Sequence, residues 1–239
     1  MMLKGIDISK HQENVDFEKV KDDGINFVIL RTGYSTTIDS KFLEYAAACK
    51  TAGINVPAVY HFSYATDIDG VLSEAKFAIE KVEEAKLGDV RIFFDFEYDT
   101  VSNAKKKGIT LSKVECNLHT AFFCEYVKSQ GYKTGVYLNR DYYNNWYIKD
   151  VTARYPLWLA DYNKTAKYSC MVHQYSSTGS VNGISGNVDM DYWDTDYEAA
   201  LDVLDGVYGN GEVRKASLTA AGYDYATVQK KVNEILGSR

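Results

Sequence analysis

Two acids stand in the run Arg91-Ile92-Phe93-Phe94-Asp95-Phe96-Glu97, an apolar stretch that has no packing use for them. The run reads as a buried strand over 91–97. Side chains at i and i+2 of a strand point the same way, so Asp95 and Glu97 share a face with Phe93, while Ile92, Phe94 and Phe96 fill the opposite face. Unpaired buried charge costs several kcal/mol, so such acids neutralise, find partners or do chemistry. Two strand steps separate them by roughly 6 to 7 Å at the backbone. That spacing straddles one glycosidic bond, and two carboxyls across a sugar linkage are the minimal machinery of a glycosidase.

The acids need a frame. Apolar segments at about 3–9, 26–31, 55–62, 91–97, 133–138, 156–160, 170–176 and 187–192 read as strands. Amphipathic stretches at Phe17–Asp23, Lys41–Ala52, Val71–Ala85 and Lys113–Ser129 read as helices, stopped by Gly24, Gly53, Gly88 and Gly131. The connections after the fifth strand are too short or irregular for full helices. This alternation implies an α/β fold with a parallel sheet, and closure into a barrel leaves no open edge; an open doubly wound sheet is the alternative. Chemistry in such barrels sits at the carboxyl ends of the strands. Asp7 lies late in the first strand, Asp95 and Glu97 end the fourth, and Asp189 and Asp191 lie on the last. Closure makes the first and last strands neighbours, so Asp7 and Asp189 should meet across the mouth from Asp95 and Glu97. Asp191 reads as structural as readily as functional.

After about Tyr197 the texture changes to three short helices, Ala199–Val207, Glu212–Ala221 and Ala226–Leu236. They are too small a unit for a self-sufficient core and should lean on the main domain or on a ligand. The expected division is a catalytic barrel over 1–197, a linker over 198–204 and a helical unit over 205–239.

Composition narrows the function. Against 27 basic residues stand 33 acidic ones, a net charge of −6, which argues against nucleic acid and against a polybasic membrane anchor. No window approaches the length of a membrane span, so membrane insertion is not expected. Aromatic residues make up 14% of the chain, and flat rings suit clefts that stack on sugars. Cys49, Cys116, Cys124 and Cys170 are scattered and read as reduced core residues. His11, His61, His119 and His173 have no paired ligand spacing, so no metal or other cofactor is expected. The one metal alternative joins His61 to Asp95, Asp189 and Asp191 in a metal-dependent polysaccharide deacetylase. No G-x-S-x-G or P-loop pattern supports a serine hydrolase or a nucleotide enzyme.

Gly5-Ile6-Asp7-Ile8-Ser9, Tyr60-His61-Phe62, Phe94-Asp95-Phe96-Glu97, Gly135-Val136-Tyr137, Leu157-Trp158-Leu159-Ala160, Gln174-Tyr175-Ser176 and Val188-Asp189 occur in this order. Together they resemble glycoside hydrolase family 25, lysozymes that cleave the β-1,4 bond between N-acetylmuramic acid and N-acetylglucosamine of bacterial peptidoglycan. The resemblance covers about residues 3–197. It implies a flattened TIM-like barrel of five β/α units plus three further strands, with a small C-terminal three-helix module. That module resembles a cell-wall-binding repeat of some phage lysozymes, on Gly206, Gly209-Asn210-Gly211, Arg214-Lys215, Leu218 to Tyr225, Val228-Gln229 and Val232-Asn233. Tyr208 stands where that repeat usually carries Trp, and one copy is present.

The resemblance makes Glu97 the general acid, with Asp95 and apolar Phe93 raising its pKa while Asp95 stays ionised. Asp95 then assists the substrate's own 2-acetamido group, acts as nucleophile or stabilises an oxocarbenium-like centre. Asp7 and Asp189 complete an electronegative ring. Tyr60, Phe62, Tyr137, Trp158 and Tyr175 are the candidate sugar platform, and Arg214, Tyr223 and Tyr225 the candidate wall contacts. The start of the chain shows no basic segment followed by an apolar one. It points to synthesis in the bacterial cytoplasm without a signal peptide, release through a phage holin-type pore, and action on the wall. The alternative to an enzyme is a catalytically silent wall-binding protein that keeps the barrel as a scaffold.

Overall fold

The computed structural model describes residues 1–238. Its elements are β1 (Met2–Ile8), α1 (Phe17–Asp22), β2 (Phe27–Tyr34), β3 (Thr37–Ile38), α2 (Phe42–Ala52), β4 (Asn55–Phe62), α3 (Ile68–Glu84), β5 (Arg91–Asp95), α4 (Tyr98–Lys106), α5 (Lys113–Ser129), β6 (Thr134–Asn139), α6 (Arg140–Asn145), α7 (Lys149–Arg154), β7 (Leu157–Ala160), β8 (Val172–Gly179), β9 (Val188–Asp194), α8 (Thr195–Leu204), α9 (Gly211–Ala220) and α10 (Tyr225–Ser238). All strands except β3 form a closed ring in the order β1-β9-β8-β7-β6-β5-β4-β2, sealed by β1 against β2. Five β/α units come first, and β7, β8 and β9 follow without intervening long helices.

An all-parallel sheet was expected, and β9 departs from it. It runs antiparallel to both β8 and β1, because residues 180–187 are too few for the crossover that a parallel partner needs. Reversal puts Asp189 at the start of its strand yet still opposite Asp7. The fourth predicted strand also ends early. β5 stops at Asp95, and Glu97 caps α4 with an extended backbone. Sequence reading missed α4 because its polar run buries only Thr100 and Ala104. The expected linker at 198–204 lies within α8, which continues directly from β9.

Alternation along the strands builds two cores. Outward-facing Ile6, Leu30, Val59, Ile92, Phe94, Phe96 and Leu138 pack beneath the helices, against Phe42, Val71, Ala78 and Phe123 among others. Inward-facing Phe27, Ile29, Phe93, Trp158 and Trp193 fill the barrel. Rings fit there because their neighbours have no side chain. A Cβ on Gly5 would lie 2.3 Å from the Phe27 ring, and one on Gly135 would lie 2.4 Å from the Phe93 ring. The inner core continues into the C-terminal helices through Val203, Leu218, Val228, Val232 and Ile235. Lys231 pairs with Asp194 at 3.0 Å, and Lys133 with Asp202 at 3.3 Å. The tail therefore closes the barrel floor, the end opposite the carboxyl rim.

Candidate active site

Every strand of the ring contributes to one cleft of about 190 Å³ at the carboxyl rim. Its lining is Asp7 from β1, Arg31 from β2, Tyr60 and Phe62 from β4, Asp95 and Glu97 at and beyond the end of β5, Tyr137 from β6, Trp158 from β7, Gln174 from β8 and Asp189 from β9. Strand register explains the convergence, since Phe62 pairs with Asp95, Asp95 with Tyr137, Tyr137 with Trp158, and Asp7 with Asp189. A larger cavity of about 500 Å³ lies between residues 164–173 and α10, but it includes none of these acids; its own are Asp194 and Glu234 at the floor.

Carboxyls crowd the cleft. Asp95 is 4% exposed, and its Oδ1 meets no hydrogen-bond donor among the described residues. Burial raises its pKa well above the ordinary range, the Glu97 charge adds to that, and the Arg31 guanidinium opposes it. Glu97 is pushed up to about 7, chiefly by burial, while a hydrogen bond with Asn139 pulls it down. The sequence reading had Asp95 ionised beside a protonated Glu97. Burial lifts both carboxyls, and their titrations are coupled.

A second group of acids lies across the barrel. Burial lifts Asp189 to about 6 and Asp191 to about 7. Asp7 is raised well above the ordinary range by burial and by the Asp191 and Asp189 charges. Asp191 is fully buried one layer below the cleft, where its Oδ1 accepts the Trp158 indole N–H at 2.8 Å. Its Oδ2 meets no hydrogen-bond donor among the described residues. Like charges this close cannot all ionise, so protons are retained near neutral pH.

Beneath the acids Trp158 is buried, with Tyr137, Phe93 and Tyr60 set edge-on at 4.7, 5.4 and 5.6 Å between ring centroids. Two lining residues were not expected. Gln174 donates from Nε2 to Asp7 at 2.8 Å and accepts from the Tyr137 hydroxyl at 3.3 Å, which orients that acid. Arg31 is held by Asp39 through Nε at 2.8 Å. Its signal was present in the sequence: a charge two residues beyond Ile29 and four beyond Phe27, on the inward face of an apolar strand.

Of the candidate sugar platform, Tyr175 is not brought to the cleft, and the candidate wall contacts of the tail are engaged by their own neighbours. Tyr175 lies on the outer face, stacked on Tyr192 at 4.4 Å, because β8 alternates and Gln174 takes the inward position. Arg214 is engaged within the tail, bonding Gly209 O, Gln229 and Asn210. Tyr223 sits edge-on to Tyr208 at 6.3 Å and, with Tyr225, packs against the inner core. His61 is excluded from the acids by the same alternation. It faces the helices, with its Nδ1 2.9 Å from Thr32 Oγ1 and its ring stacked on Phe123, so the proposed His61–Asp95–Asp189–Asp191 metal site does not assemble. Among the described residues no group of three or more His, Cys, Asp or Glu side chains is arranged to hold a metal ion.

Comparison with known proteins follows this geometry. Residues 6–184 match the model for glycosyl hydrolases family 25, and residues 198–236 match the CW_7 repeat. The autolytic lysozyme of Clostridium acetobutylicum is 32% identical over 198 residues, which is 79% of this chain and 55% of that protein. Lysozyme M1 of Streptomyces globisporus is 24% identical over 202 residues, 78% of this chain and 66% of that one. This chain thus spans about half to two thirds of the length of these relatives. Among solved structures, the autolysin LytC of Streptococcus pneumoniae superposes with a TM-score of 0.71 at 24% identity, over 81% of this chain and 47% of that one. The catalytic domain of endolysin ply40 from a Listeria monocytogenes bacteriophage gives 0.68 at 23%, over 82% and 95%. The fold is therefore shared, and the family match covers the whole ring of acids except Asp189 and Asp191: the chain belongs to glycosyl hydrolases family 25.

Proposed function

We propose that this chain is a lysozyme that hydrolyses the β-1,4 bond between N-acetylmuramic acid and N-acetylglucosamine in bacterial peptidoglycan. The observation that carries the reading is the Asp95–Glu97 pair at the mouth of a closed barrel, with the Glu97 carboxyl lifted to about 7. An acid with that pKa is about half protonated at pH 7 and more so below it, and can give its proton to the departing sugar oxygen. Asp95 is the partner, and Arg31 favours its anionic form once Glu97 holds the shared proton. In that form it orients the 2-acetamido group for internal attack or adds to the anomeric carbon itself. Asp189, lifted only to about 6, carries the negative charge across the cleft from the pair, with Asp7 beside it, while Tyr60, Phe62 and Tyr137 turn ring edges and faces toward a sugar.

Support also comes from the relatives, two of which bear the name lysozyme, and LytC has been solved with a synthetic peptidoglycan ligand. The CW_7 match supports peptidoglycan as the surface the tail engages. No helix among the described residues is long and apolar enough to cross a membrane. Release to the wall through the pore of another protein, of the phage holin type, is part of the proposal. A zymogram on purified cell walls, with borohydride labelling of the new reducing ends, tests the proposal. Muramic acid at the new ends supports it. A folded protein that binds walls without releasing sugar would make the chain a silent wall-binding scaffold.

A further inference from the structure

Helix α3 carries an acid on its buried face. The stripe runs Val71, Glu74, Ala75, Ala78, Ile79 and Val82, and Glu74 is 2% exposed. Burial pushes its carboxyl up to about 7, although hydrogen bonds with Ser63, Tyr64 and Ala65 pull it down. An apolar residue would fill this stripe at lower cost. Instead the acid opens a chain of hydrogen bonds that ends at Asp95 and Glu97.

Glu74 Oε2 accepts from Ser63 Oγ at 2.6 Å, and its Oε1 accepts the Tyr64 N–H at 2.9 Å. The Ser63 N–H donates to the Asp95 carbonyl at 2.8 Å. The Ser63 carbonyl accepts from Thr100 Oγ1 at 2.7 Å, and that same hydroxyl oxygen accepts the Glu97 N–H at 3.1 Å. One side chain on α3 thus fixes the exit of β4, and that exit grips the main chain of both acids. Ser63 and Thr100 are each nearly fully buried, so water offers no substitute partner.

We propose that Glu74 is a positioning residue: through Ser63 and Thr100 it sets where the Asp95 and Glu97 carboxyls stand relative to each other. This rests on reading those two acids as the reacting pair. Catalysis is sensitive to such placement, since a 1 Å error costs on the order of a hundredfold in rate. Sugar binding depends on it less, because Tyr137 and Trp158 pair with each other on β6 and β7, away from the exit of β4.

The test measures kcat, KM and melting temperature on a soluble muropeptide for Glu74→Ala, Glu74→Gln, Thr100→Val and the Glu74→Ala/Thr100→Val pair. Glu74→Ala should lose roughly ten- to a hundredfold in kcat with KM within about twofold. Glu74→Gln keeps an acceptor for Tyr64 and a partner for Ser63, so it should return to within about fivefold of the parent. Thr100→Val should fall in the same way, and the pair should be no more than about threefold below the worse single variant, because both changes break one chain. A Glu74→Ala kcat within twofold of the parent, a loss carried in KM, or losses that multiply in the pair would overturn the proposal. Thr100→Val and Glu74→Gln decide the matter if Glu74→Ala does not fold. Failure of the underlying reading shows separately, as a Glu97→Gln variant that cleaves like the parent, and it removes this proposal with it.

Discussion

Replacing Asp191 by Asn should make the protein more stable at pH 8 and leave it nearly unchanged at pH 4. Asp191 is 0% exposed, and its carboxyl is lifted from 3.8 to about 7 by burial and the Asp189 charge. A folded-state pKa above the unfolded one means that the folded protein holds the proton more tightly. The associated stability is fully present below pH 3.8 and is lost as pH rises through about 7. Three units at 1.36 kcal/mol each give a ceiling of about 4 kcal/mol lost by pH 8. Sharing of protons with Asp7 and Asp189 makes about half of this a fair expectation. Asn keeps the Oδ1 acceptor that the Trp158 indole uses and presents an amide donor toward Asp7. For a chain of this size each kcal/mol moves the melting temperature by roughly 2 to 4 °C. Calorimetry should therefore show Asp191→Asn melting at least about 4 °C above the parent at pH 8, with a difference under about 2 °C at pH 4. Equal shifts at the two pH values, or a lower melting temperature at pH 8, would refute the claim that the cluster retains protons in the folded state.

Glu97→Gln should lose two or more orders of magnitude in wall lysis, since the amide cannot donate the proton that leaving-group departure needs. Circular dichroism on the same sample checks that the fold is kept. The kcat/KM of the parent should fall as pH rises through about 7, where Glu97 loses its proton; a profile flat to pH 8.5 would remove Glu97 from that role. Gly135→Ala forces a methyl against the Phe93 ring and should cost about 1 to 3 kcal/mol in denaturant unfolding. Deleting residues from 205 onward should lower the melting temperature and reduce cleavage of walls and of soluble muropeptides together, because Leu218, Val228, Val232 and Ile235 leave the barrel floor. A deletion that spares both stability and muropeptide cleavage would return the tail to a pure tethering role.

Much of the frame was legible because period-2 alternation is a strong signal in strands buried on both faces. Phe93 and Asp95 could be separated from Ile92, Phe94 and Phe96 with no knowledge of their neighbours, and the opposition of Asp7 to Asp189 followed from closure alone. The direction of β9 was not legible, because alternation is the same read either way along a strand and only the short 180–187 connection encodes the reversal. Helix α4 escaped because helix period is recognised by an apolar stripe, and its stripe is Thr100 and Ala104. Tyr175 was misplaced because a strand aromatic looks alike on either face, and alternation along β8 gives the inward position to its neighbour Gln174. The ionisation of Asp95 depended on burial and on Arg31, both properties of the assembled barrel.

The tail poses the question of why a wall-binding repeat should share a core with the barrel it accompanies. A tether needs only a linker, and effective concentration is the whole of its benefit. Here α8 grows directly out of β9, whose Asp189, Asp191 and Trp193 face into the barrel at successive depths. Trp193 stands on the floor, edge-on to Phe27 at 5.5 Å, and its indole N–H donates to Glu198 of α8 at 3.0 Å. Asp194, at the end of the same strand, caps α8 and pairs with Lys231 of α10. One strand therefore carries an acid of the cleft at its start and the anchor of the tail at its end. Lys231 of α10 thus holds the far end of the strand that carries Asp189, and the two matched segments share one hydrophobic core across the barrel floor.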